Sequence, residues 1–118
     1  MAEVKLPDWE DMENLATIIK ELTIEKMKLE VFIKFTETEV VKKAMSDEQY
    51  FQNGKPPSMS FIESTYKFSG FNNELIEARN KLAVLTGKLE QARIKFDMYK
   101  MQVEIYRTES ANKRTATF

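Results

Sequence analysis

The stretch SFIESTYKFSGFNN, Ser60 to Asn73, decides how this chain folds. Helix-like segments lie on both sides of it. Its aromatics and Gly70 suit an ordered loop, while its spacing suits the opening turns of a second helix. Downstream, Phe71, Leu75, Ala78, Leu82, Leu85, Leu89, Ala92, Phe96, Tyr99, Val103 and Tyr106 alternate at spacings of four and three without a miss. A pattern held this long marks a coiled-coil seam, because an ordinary core helix drifts toward a period of 3.6. Run backward, the same alternation reaches Phe68, Ser64 and Phe61, and Ser60 with Glu63 makes an S-x-x-E capping box. Helix two is therefore expected from about Ser60, with Gly70 inside it at a cost of about 1 kcal/mol relative to Ala. The competing reading ends a short helix with Gly70 in a left-handed cap and starts the main helix at Asn72 or Asn73.

The segment upstream begins as a helix should. Pro7 precedes Asp8, whose carboxylate can accept from free backbone N–H groups, and Glu10, Asp11 and Glu13 load the positive end of the helix dipole. Met12, Leu15, Ile19, Leu22, Leu29, Ile33 and Val40 follow a heptad pattern, with Lys26, Thr36 and Lys43 at the lapses. Between the helices, FQNGKPPSM breaks the chain. Asn53-Gly54 is a turn signal, and Pro56-Pro57 cannot continue a helix. The expected plan is one domain over 1–118: helix one about 8–50, connector 51–59, helix two about 60–110 and a C-terminal tail 111–118. So short a connector makes the helices antiparallel. Setting Tyr50 opposite Phe61 then aligns Val40 with Phe71, Ile33 with Ala78, Leu29 with Leu82, Leu22 with Leu89, Ile19 with Ala92 and Leu15 with Phe96. The expected fold is all-α, an antiparallel two-helix coiled-coil hairpin.

Composition narrows the chemistry. Charged residues make up 31% of the chain with a net charge of −1, and only three Gly and three Pro interrupt it. Cysteine and histidine are both absent, which removes thiolate nucleophiles and the commonest general base and metal ligand. The three glycines stand alone, so no phosphate loop is present. The carboxylates fall mainly beside Lys and Arg on helix faces, as solvated i,i+4 pairs do. An enzyme, a cofactor and a metal are not expected. No apolar run approaches a membrane span, and MAEVKLPDWEDMENL is acidic where a secretion signal would be basic. A soluble cytoplasmic protein is expected, with no membrane partner.

A lone hairpin leaves apolar lines uncovered. On helix one these are Ile24, Met27, Val31, Phe35, Val41 and Met45, and on helix two Ile94, Met98, Met101 and Ile105. They are the expected oligomer interface, since a stripe of this length left bare invites aggregation. Self-association to at least a dimer follows, as a four-helix bundle or a larger oligomer. The ending RTESANKRTATF carries Arg107, Lys113, Arg114 and Phe118, a tail that frays or docks on nucleic acid or another protein. Trp9 is expected to pack against helix two near Val103 and Tyr106, or else to anchor a partner.

Three function classes follow. The first is a non-catalytic coiled-coil scaffold or adaptor, accessory to a larger complex and bound to another protein as well as to itself. The second is a nucleic-acid-associated accessory that multiplies weak tails by avidity. The third is a holdase chaperone with adaptable Met-rich faces. In outline the chain resembles prefoldin-type chaperone subunits, which are helical hairpins of similar length. It departs from them at the connector, where they carry barrel strands and FQNGKPPSM offers no alternating run.

Overall fold

The computed structural model describes residues 5–116, and every extended regular element in them is helical. Helix α1 spans Trp9–Ser46 and helix α4 spans Glu74–Ala116. Between them lie two short helices, α2 (Met59–Phe61) and α3 (Lys67–Ser69).

Local chemistry sets each boundary. At the start of α1, Asp8 Oδ1 accepts from the Glu10 backbone N–H at 2.9 Å, the expected capping role. The helix stops at Ser46, short of the expected Tyr50. Asp47 leaves helical backbone at φ −93° and ψ 116°, and its carboxylate caps a separate 3₁₀ turn, Glu48–Tyr50. A cap suits Asp better than a helix interior does, which is why the helix ends here. Next, Gln52 and Lys55 exchange backbone hydrogen bonds of 2.8 and 3.0 Å around Asn53 and Gly54. Both turn residues have positive φ, 53° and 75°, the pair of values that a two-residue hairpin turn demands. Buried Pro57 then leads into Ser58.

The deciding stretch takes the competing form. Helix α2 is capped by Ser58, whose hydroxyl accepts from the Phe61 N–H at 3.2 Å, so the expected box at Ser60 and Glu63 is not used. A π-helical turn, Ile62–Tyr66, joins α2 to α3. Gly70 then ends α3 at φ 69° and ψ −166°. Asn73 follows in the left-handed region at φ 60°, which Asn tolerates better than most residues. Its carbonyl accepts the first bond of α4, from Glu77 at 3.0 Å. The main helix therefore starts at Glu74, and Ser60–Asn73 is a capped helical turn of its own. At the far end α4 continues through Ala116, so 111–116 is helix where a tail was expected.

Packing divides the chain into two units, one being Ile24–Thr86 and the other joining the residues before Ile24 to those after Thr86. In the first, Ile33 and Val40 from α1 bury a cluster with Leu75 and Ala78 from α4, and Leu29, Tyr66, Phe71 and Leu82 pack on it. Within this unit, residue numbers fall along α1 as they rise along α4. Val40 shares a groove with Phe71, and Leu29 shares a hollow with Leu85. Tyr50 does not face Phe61 as expected. It stacks on Phe71 at 4.4 Å between ring centroids and meets Tyr66 edge-on at 5.6 Å. Lys43 holds its ammonium 5.1 Å from the Phe71 ring. Ile62 and Ala44 are fully buried, while Phe68, an expected seam residue, is 58% exposed. In the second unit Leu15, Leu89 and Ala92 are buried, and Ala16 and Ile19 of α1 line a hollow with Arg93 and Phe96 of α4. Trp9, expected to pack on helix two, is 67% exposed.

Candidate oligomer interface

A helix advances about 100° per residue, so Ile24, Met27, Val31, Phe35 and Met45 point away from the side of α1 that carries Ile33, Val40 and Ala44. Their exposures run from 43% to 67%. Val41 differs. It is half-buried, because it lines a hollow of about 440 Å³ with Lys34, Glu37, Thr38, Lys42 and Lys67. Met27 and Val31 border a neighbouring hollow of about 500 Å³, which shares Lys34 and Glu37 and is lined also by Glu30, Ile33, Leu82 and Arg79. The two form one trough along α1.

Arg79 shapes that trough. Its Nη2 donates to the Glu37 carboxylate and, at 3.1 Å, to the Lys67 carbonyl. Its Nε reaches the Phe68 carbonyl at 3.4 Å, and the guanidinium sits 5.6 Å from the Phe68 ring. One planar fork thereby ties α1, α3 and α4 together, a task for which Arg is better built than Lys. It also neutralises the carboxylate of Glu37. Within about 60° of Val31 on the α1 surface, from Ile24 to Ser46, the charged residues are Lys28, Lys34 and Lys42, with no carboxylate among them. Lys42 lies 3.8 Å from Glu39 beyond this arc, in a pair exposed on both sides and therefore weak.

In the other unit, Ile94, Met98, Met101 and Ile105 are all exposed along α4, as their spacing of four, three and four requires. Sequence reasoning missed Phe32 and Val84, which are more than half exposed. Phe32 was legible as the neighbour of Val31, three residues before Phe35. Val84 was hidden because Gly87 and Gln91 interrupt the line between it and Ile94.

The basic residues near the C-terminus are carried by α4. Arg107 pairs with Glu104 at 3.4 Å, Arg114 Nε donates to the Ser110 carbonyl at 3.4 Å, and Lys113 is exposed in the same last turns. Phe118 lies outside the described residues. Among the described residues no group of acidic side chains is placed to hold a metal ion, and no helix is long and apolar enough to cross a membrane. Family models, curated proteins and solved structures were all compared with this chain, and none of them matches it.

Proposed function

We propose that this protein is a non-catalytic coiled-coil scaffold or adaptor, a helical hairpin whose outward faces assemble it with copies of itself. One observation carries the reading. Ile24, Met27, Val31, Phe35 and Met45 stay exposed on the side of α1 opposite its buried seam. Apolar area left in water in a contiguous line is what association removes, at about 25 cal/mol per Å². Sedimentation equilibrium at micromolar concentration tests it, with a mass at least twice the 13.8 kDa of the chain expected. A clean monomer would sink the proposal.

A second reading, a holdase chaperone, draws on the methionines. Met27, Met45, Met98 and Met101 are each exposed, and flexible thioethers adapt to varied apolar clients. Suppression of client aggregation at substoichiometric protein would favour it over a dedicated scaffold.

A further inference from the structure

We infer that the trough on α1 is a receptor for the first turn of α1 from a second copy of this chain, with Trp9 as the anchor. The inference rests on the self-association proposed above and names the surfaces that meet. On the receptor side, Lys34, Lys42 and Lys67 surround the hollow of about 440 Å³, whose apolar wall is Val41. The one carboxylate in that lining, Glu37, is already held by Arg79. What faces outward is positive charge around an apolar seat.

The complementary surface lies on the same chain. From Leu6 to Leu15 the sequence LPDWEDMENL holds four carboxylates and no basic residue. Asp8 is engaged in capping the helix, while Glu10, Asp11 and Glu13 are exposed. Trp9 stands 67% exposed among them, with Leu6 beside it at 44%. An exposed tryptophan beside acids is an anchor without a pocket, and the Lys67 end of the trough is a lysine-lined pocket without an anchor. Trp is the residue type most often found at the energetic centre of interfaces, and opposite charges at the rim steer and orient the encounter. The two surfaces are unlike, so the contact is heterologous.

Trp9 is the only tryptophan in the chain, so tryptophan emission reports the surroundings of this one side chain. As concentration rises through association, its emission should move to shorter wavelength, in step with the mass read by sedimentation. Added salt should weaken the contact, since the exposed charges are screened beyond about 10 Å at 0.1 M. Trp9→Ala should weaken association roughly tenfold or more. Glu10→Lys with Glu13→Lys in one chain, or Lys34→Glu with Lys42→Glu in another, should each abolish the emission shift. Mixing those two variants should restore it, because the unaltered turn of one then meets the unaltered trough of the other, and the reversed turn meets the reversed trough. Emission that stays that of a solvated indole in a sample already oligomeric by sedimentation overturns this docking and leaves the scaffold reading standing. Failure of the mixture to restore the shift overturns it as well. A protein that remains monomeric removes both.

Discussion

Gly70 holds a backbone conformation, φ 69° and ψ −166°, that is essentially reserved for glycine. A Cβ placed there would lie 2.7 Å from Glu74 Cγ and 3.0 Å from its Oε1, so the Glu74 side chain would also have to move. Gly70→Ala should therefore cost about 1–3 kcal/mol. This reverses what the continuous-helix expectation implied, namely a neutral or stabilising change. Gly87 provides the contrast. It lies inside α4, and a Cβ there would meet nothing within 4 Å. Gly87→Ala should stabilise by about 0.5–1 kcal/mol, because alanine loses less backbone freedom in a helix. Paired urea melts should show opposite signs for the same chemical change. Matching signs would mean that Gly70 is helical after all.

At the scale of elements, the π-helical turn explains which side chains were misassigned. Lys67 N–H bonds to the Ile62 carbonyl, five residues back, so the turn holds one residue more than an α-helical turn. That extra residue shifts the side-chain phase, burying Ile62 completely and leaving Phe68 exposed. Ile62→Ala should then cost about 2–5 kcal/mol, the range for a buried aliphatic side chain, and Phe68→Ala much less. Equal losses in thermal or urea unfolding would contradict this. The Arg79 fork should act on the same segment. Arg79→Ala leaves partly buried Glu37 without its partner, and about 1–3 kcal/mol should be lost. Hydrogen exchange should rise selectively in 59–69, and Arg79→Lys should not restore protection, since an ammonium cannot span three acceptors. The seam of α4 from Leu75 onward was legible because its heptad spacing needs only helical backbone. Phe71 was assigned to it correctly through the wrong path. Periodicity records which residues share a face, and it is blind to a single positive φ between them. The cap at Ser58, two residues ahead of the expected Ser60, was missed because both serines begin plausible turns. Only the geometry after Pro57 chooses between them.

For the molecule as a whole, the exposure of the apolar positions other than Val41 was more legible than the turn, because bare apolar positions in a charged helix stand out in one dimension. Val31→Glu with Phe35→Glu should lower the sedimenting mass toward that of the monomer, and Glu25→Ala should not. What sequence could not supply was the trough. Lys67 and Arg79 lie far along the chain from Lys34 and Lys42, and only folding brings them to one wall.

The division into two packed units also orders events in time. Ile24–Thr86 closes on itself across the short turn at Asn53 and Gly54, whereas the other unit must bring residues before Ile24 to residues after Thr86. By loop-closure entropy alone the difference is modest, of order 0.5 kcal/mol. On a ribosome it is larger in effect, because synthesis adds about 5–20 residues per second. The inner unit can form once Thr86 has emerged. Leu15 must wait for Leu89 and Ala92 and stays unprotected through that interval, while Trp9 is exposed before and after it. Under the docking inferred above, the first turn of one nascent chain can seat in the finished trough of another on the same message, which makes co-translational assembly its expected route.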